Sequence, residues 1–278
     1  MLKVVAGIVY RRRLLMATKT ILNVYYDDPH ELALDLYPTR GPARAGVIVI
    51  HGGGWFRGDK RKEADWANRL NARGFFVLAP NYRENDSGHF PAPLDDMAKL
   101  WDWVHRRDLP FNRRQLAVVG ASAGGNLAVE MALKYGIPGV SLSGILDIEN
   151  WLAQHQDVVA KQGDTSNFAT AASSTINQTG ANDSFYKWFI TNYLPHPADY
   201  AAATPANHVT SASGPLYLAN SLNEFVPTSG VTQLSAALGA AGIPHSTRML
   251  AGTRHGEAYL DDVFADTTGF IEHSLGLK

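Results

Sequence analysis

Short apolar runs alternate with helical patterns through most of the chain. Ile21–Tyr26 and Leu32–Tyr37 alternate apolar and polar positions with a period of two, as half-buried antiparallel strands do, and Asp27, Asp28 and Pro29 between them read as a turn. The texture then changes. Gly46–Ile50, Phe75–Ala79 and Leu116–Val119 are continuous apolar runs, the pattern of strands covered on both faces of a parallel sheet. Helices are predicted between them over Glu63–Arg73, where Ala64, Trp66, Ala67 and Leu70 form a stripe before Gly74, and over Pro93–His105. A third helix is predicted over Asn126–Tyr135, closed by Gly136 and Pro138. Further strands are expected around Val140–Leu146, Pro215–Ala219 and Ser246–Leu250, with helices at Val231–Ala241 and near Tyr259–Leu275. Such repeated strand–helix units with short loops predict an α/β protein built on one mostly parallel sheet.

No repeat or interdomain linker interrupts this order, so residues 1–278 are read as one domain. One segment departs from it. Gln154–Asp183 is rich in Ser, Thr, Asn, Gln and Ala, and Trp151, Phe168, Phe185, Tyr186, Trp188, Phe189 and Tyr193 lie around it. Long insertions in compact domains are usually functional or disordered. The aromatic content favours a cap, at residues 150–198, over an active site; a helical pair packed on the core by the same rings is the other reading. At the N-terminus, the apolar stretch Val4–Val9 is shorter than a secretory core and is followed by Arg11, Arg12 and Arg13. Residues 1–18 are therefore expected to be peripheral, with Met16 an alternative start, and the protein is expected to be cytoplasmic. No stretch reaches the ~20 apolar residues of a membrane span.

Composition narrows the chemistry. The 25 Lys and Arg against 26 Asp and Glu give a net charge of -1, which offers no general attraction to phosphate backbones and argues against nucleic-acid binding. The absence of cysteine removes disulfides, thiolate metal sites and a cysteine nucleophile together. No paired-histidine metal spacing or phosphate-binding loop is present, so neither metal nor phosphate chemistry is favoured. Asn177-Gln178-Thr179 matches the glycosylation pattern, which a cytoplasmic protein would leave unused.

The sharpest signal is Gly120-Ala121-Ser122-Ala123-Gly124, directly after an apolar strand and before a helix. In this G-x-S-x-G turn the serine hydroxyl is held clear of the sheet, and only small neighbours allow strand and helix to approach. His51-Gly52-Gly53-Gly54-Trp55 follows another buried strand. Its glycines let backbone N–H groups come close to a ligand oxygen, so those of Gly53 and Gly54, with that of Ala123, are candidate oxyanion donors. A serine must lose its proton to attack a carbonyl, and a neutral imidazole is the natural acceptor. Of ten histidines, His255 lies in the expected loop between the last strand and the last helix, whereas His51 reads as structural. The acid should follow the penultimate strand, where Glu224 is the sole carboxylate of the loop Asn220–Pro227.

These motifs resemble the bacterial hormone-sensitive-lipase-like branch of the α/β-hydrolase superfamily, from about Leu22 onward. Asn81-Tyr82-Arg83 and Phe90-Pro91-Ala92-Pro93-Leu94-Asp95-Asp96 are similar to that family's link between its fourth strand and the next helix. The resemblance implies an eight-stranded, mostly parallel sheet with its second strand antiparallel, flanked by helices. It also implies a serine nucleophile, water as co-substrate and no cofactor, with Ser122 and His255 in the family's catalytic positions and Gly53, Gly54 and Ala123 as oxyanion donors. One position departs. Many relatives carry Asp-x-x-Val-Pro, and alignment on Val226-Pro227 puts Asn223 where that aspartate would stand. Glu224 either takes over from one position later or the triad is weakened.

The expected activity is hydrolysis of short- to medium-chain acyl esters through an acyl-enzyme, with Trp55, Trp188 and Phe189 as candidate pocket residues. An amidase, arylformamidase or peptidase on the same scaffold is the alternative within enzymes, and a binding protein that has lost turnover is the alternative outside them. The expected partners are a small ester and water, with a homo-oligomer also open.

Overall fold

Parallel strands are joined by crossovers that cover both sheet faces, so continuous apolar strands require helices on either side. The computed structural model, which describes residues 19–165 and 171–277, meets this requirement. The expected N-terminal segment 1–18 and Phe168 lie outside the described residues. Eight strands form one sheet: β1 (Ile21–Asp27), β2 (Leu32–Tyr37), β3 (Gly46–Ile50), β4 (Phe76–Pro80), β5 (Leu116–Ala121), β6 (Gly139–Leu142), β7 (Leu216–Ser221) and β8 (His245–Leu250). Their spatial order is β1-β2-β4-β3-β5-β6-β7-β8. β2 runs antiparallel to β1 and β4, and every other pair is parallel. The sheet is the one the sequence predicts.

Successive side chains of a strand point to opposite faces, and the core divides accordingly. Ile48 and Ile50 of β3 join Leu34, Leu78 and Val118 on one side, where helices α2 (Ala92–Arg106), α3 (Ala123–Tyr135), α5 (Asp183–Tyr193) and α6 (Ser229–Ala240) contribute Leu100, Leu127, Phe189 and Leu234. Val47 and Val49 face the other side with Val77 and Val119, beneath Trp66 and Leu70 of α1 (Ala64–Ala72) and Val263 of α7 (Leu260–Ser274). The short α4 (Glu149–Gln154) leads into the polar segment. No helix of the described residues is long and apolar enough to cross a membrane.

β6 ends at Leu142, four residues before the expected Leu146. Ser143 takes φ 51°, a left-handed conformation that breaks a ladder, although its N–H still bonds the Ala219 carbonyl at 2.7 Å. The chain therefore turns out of the sheet at its carboxyl edge. The loops after β3, β5, β6, β7 and β8 all leave from that edge, where α/β sheets place their ligands.

Behind β4, a buried ion pair fixes the chain before α2. The Arg83 guanidinium lies 2.7 Å from Asp96, whose carboxylate is fully buried and also accepts the Arg83 backbone N–H at 2.8 Å. Removing one partner leaves an uncompensated buried charge. Asp96→Ala should therefore lower unfolding stability by ~3–5 kcal/mol in urea titration. Asp102→Ala, which breaks a largely exposed pair with Arg106 on the same helix, should cost less than about 1 kcal/mol. Equal losses would show that burial does not set the strength of the first pair.

Candidate active site

The elbow between β5 and α3 is built by exclusion of side chains. A Cβ on Gly120 would lie 2.2 Å from the Gly124 carbonyl oxygen, and one on Gly124 would lie 2.2 Å from that of Ile50. Backbone meets backbone at both positions, so only glycine fits. Between them Ser122 adopts φ 56° and ψ -122°, a strained conformation for a residue with a side chain. Its N–H bonds the Leu142 carbonyl and its carbonyl accepts from Asn126, which fixes the turn on both sides. Ser122 lines a pocket at this edge of the sheet.

Across the pocket, the loop after β3 runs through Gly53 at φ 122° and Gly54 at φ 60°. A Cβ on Gly53 would overlap the Arg57 carbonyl oxygen at 1.7 Å. Among the described residues no protein acceptor binds the N–H groups of Gly53, Gly54 or Ala123, and Ala123 opens α3 with the positive end of the helix dipole behind it. His51 supports this loop from below. Its ring stacks on Tyr82 at 4.3 Å, its Nδ1 donates to the Gly52 carbonyl at 2.8 Å, and burial lowers its pKa to about 4. It is therefore neutral and structural, as the sequence suggests.

His255 lines the same pocket as Ser122. Its Nδ1 lies 2.5 Å from Glu224 Oε2, and neither side chain is appreciably exposed. A carboxylate only accepts, so Nδ1 donates and Nε2 is left to act as a base. The other Glu224 oxygen accepts from Ser143 Oγ and the Ser221 N–H, both at 2.8 Å. Ser143 in turn accepts from the Gly256 N–H at 2.8 Å, beside His255. The neighbouring Asn223 is exposed and reaches back only through its backbone, to the Gly252 carbonyl. The geometry thus joins Glu224 to His255 and turns Asn223 to solvent. No hydrogen bond joins Ser122 to His255 among the described residues; the two groups share the pocket wall.

The rest of the lining differs from the expected set. Phe189 is present, but Trp55 and Trp188 are not. Trp55 is buried, its ring stacked on Tyr193 at 4.1 Å, and Trp188 packs edge-on against Phe56 at 4.9 Å. Trp55 packs on Tyr193 of α5, Trp188 of α5 packs on Phe56, and the wall is formed by Phe56, Phe185, Phe189 and Phe225. Phe185 and Phe189 belong to the aromatic set around the expected cap, whereas Phe56 and Phe225 carry no pattern that would have marked them in the sequence. Opposite them lie Lys62, Ser173, Asn177 and Glu257, of which Glu257 Oε1 is buried without a partner. Ser173, Ile176 and Asn177 come from the polar segment, which thus reaches the pocket itself.

The BD-FAE family model matches residues 34–238, which include the glycine loop, the elbow and Glu224. The chain belongs to the BD-FAE family. Sequence relatives agree with the hormone-sensitive-lipase-like resemblance. The ethyl acetate hydrolase of Pseudomonas putida is 36% identical over 113 residues, 38% of this chain and 35% of that protein. The hormone-sensitive lipase of Bos taurus is 30% identical over 121 residues, 41% of this chain and 16% of its own length. The match to carboxylesterase NlhH of Mycobacterium tuberculosis is 33% identical over 31% of this chain and 28% of that protein. The chain thus spans about a third or less of the curated relatives it matches.

Solved structures share the fold over nearly the whole BD-FAE chain. An esterase of Pyrobaculum calidifontis superposes with a TM-score of 0.71 at 18% identity, covering 96% of this chain and 89% of that one. A truncated carbohydrate esterase from gut microbiota does so with a TM-score of 0.70 at 18% identity, covering 93% and 97%. The architecture is the α/β-hydrolase fold.

A second carboxylate lies behind the glycine loop. Glu63 is fully buried, accepts from Ser173 Oγ at 3.1 Å and from the Gly52 N–H at 3.4 Å, and burial raises its pKa from 4.5 to about 7. Between about pH 4.5 and 7 the folded protein therefore holds a proton that the unfolded chain has lost, and this site's contribution to stability declines as pH rises through that window. Glu63→Gln keeps an acceptor for Ser173 and removes the titration. The Tm of the variant should rise relative to the wild type when both are moved from pH 5 to pH 8. A difference that does not change with pH would contradict the assignment.

Proposed function

We propose that this protein is a carboxylic ester hydrolase acting through Ser122, His255 and Glu224. The observation that carries the reading is the buried His255–Glu224 pair at 2.5 Å, which faces the same pocket as a serine held on a strained elbow. Ser122 Oγ attacks the ester carbonyl while His255 Nε2 takes its proton. Glu224 holds the imidazole through Nδ1 and stabilises the imidazolium that forms. The N–H groups of Gly53, Gly54 and Ala123 receive the oxyanion, each such donor being worth ~3–4 kcal/mol in the transition state. The proton passes to the alcohol as it leaves, and water then clears the acyl-enzyme with His255 as base again.

The ester hydrolases among the relatives and the esterases among the structural neighbours support this class of reaction. One of those neighbours, esterase 2 of Thermogutta terrifontis, is phosphonylated by sarin, as a serine hydrolase would be. The phenylalanine wall suits an apolar acyl group. Residues 150–198 act as its cap, supported by the places of Ser173, Ile176, Asn177, Phe185 and Phe189 in its lining.

Ser122→Ala should lower turnover of a nitrophenyl ester by at least ~10³-fold and abolish labelling by a fluorophosphonate probe; retained turnover would overturn the reading. Glu224→Gln should cost ~10²–10⁴-fold in kcat, whereas Asn223→Ala should cost less than about threefold. The reverse order would move the acid elsewhere. A series of nitrophenyl esters from acetate to decanoate, run beside the corresponding anilide, should give fastest turnover at short to medium esters and far slower cleavage of the anilide.

A further inference from the structure

The side chain of His255 is fixed by Glu224, but its backbone is held from elsewhere. The residue sits at φ -113° and ψ 135° in a loop between β8 and a short 3-10 turn, and it is almost fully buried. Its N–H has no backbone acceptor among the described residues. Gln178 supplies one: Gln178 Oε1 accepts the His255 N–H at 2.8 Å, and Gln178 Nε2 donates to the His255 carbonyl at 3.2 Å. A glutamine amide has the donor and acceptor of a peptide group, so this pair imitates one rung of a β-ladder. The backbone donor also fixes which end of the amide is oxygen.

Gln178 is itself anchored. Its Nε2 also donates to the Ile176 carbonyl at 2.5 Å, and Thr253 Oγ1, two residues before His255, donates to the Gln178 carbonyl at 2.9 Å. Five residues earlier on the same segment, Ser173 Oγ donates to Glu63, whose Oε1 also takes the Gly52 N–H of the glycine loop. Between these two attachments, Ile176 and Asn177 line the pocket. Residues 173–178 thus form a strap bonded at one end to the loop of the histidine and linked at the other, through Glu63, to the loop of the oxyanion donors.

We infer that Gln178 is a positioning residue for His255, and that the strap sets the place of the base relative to Ser122. The inference rests on the reading of His255 as the general base. Displacements of about 1 Å at a reacting group cost ~10²-fold in rate, so the loss of this rung registers in the chemical step more than in substrate binding.

The test compares Gln178→Met, which keeps the side-chain length without the amide, and Gln178→Glu, which keeps an acceptor for the His255 N–H. Steady-state kinetics on nitrophenyl butyrate and the rate of fluorophosphonate labelling are measured below the thermal transition of each variant. Gln178→Met should lower kcat by ~10–100-fold with KM within about twofold, and slow labelling in parallel. Gln178→Glu should recover a substantial part of both. Thr253→Val, which loosens the strap without touching the amide, should show the same kcat-directed loss at smaller size and covers the case in which Gln178→Met does not fold. Wild-type kcat in Gln178→Met or in Thr253→Val, or a loss confined to KM, would overturn the inference while leaving Ser122→Ala inactive. Turnover retained in Ser122→Ala would instead overturn the reading of the site, and this inference with it.

Discussion

The structure turns on one steric constraint. Ser122 occupies backbone angles that a residue with a side chain rarely tolerates, and the turn that holds it there closes only because positions 120 and 124 carry no Cβ. Gly120 and Gly124 let the first turn of α3 close on β5, and Gly124 also lets that turn lie against the carbonyls of Ile50 and His51 at the end of β3. Strand pairing between β3 and β5 carries the glycine loop to the same edge. The hydroxyl, the candidate oxyanion donors and the start of α3 are therefore placed by one close approach of backbones. A single extra methyl group at Gly124 would force all three apart.

The sequence was most legible where a physical requirement acts over short range. Buried parallel strands must be apolar on both faces, and β3 and β5 were found with ends correct to within two residues for that reason. The elbow and the glycine loop were legible because crowding admits only glycine. Legibility failed where placement depends on distant partners. β6 was expected to continue to Leu146, but Ser143 turns out of the ladder to serve Glu224 and Gly256. Trp55 and Trp188 were expected in the pocket because one follows the glycine loop and the other belongs to the aromatic set, yet each is taken up by packing on Tyr193 or Phe56. Gln178 lies in a polar stretch that was read as cap, with nothing to single it out, 77 residues from the histidine it holds.

The acid position shows how side-chain length and chain position compensate. Alignment put Asn223 at the usual place, and the fold turns it outward. Glu224 reaches His255 from the next position because it has one more methylene than aspartate, and Ser143 and Ser221 take its second oxygen. An ionised group withdrawn from water has to find such partners, and here β6 and β7 supply them from adjacent strand ends.

The pocket wall has an electrical consequence. Phe56, Phe185, Phe189 and Phe225 bring no hydroxyl and no charge to their side of the cavity, and the Phe225 ring lies 4.4 Å from that of His255. The His255 and Glu224 side chains are almost wholly buried, and fields between such groups are damped by salt far less than those between surface charges. Dissolved salt should therefore leave the pairing of imidazole and carboxylate nearly untouched, while it weakens exposed pairs such as Arg106 with Asp102.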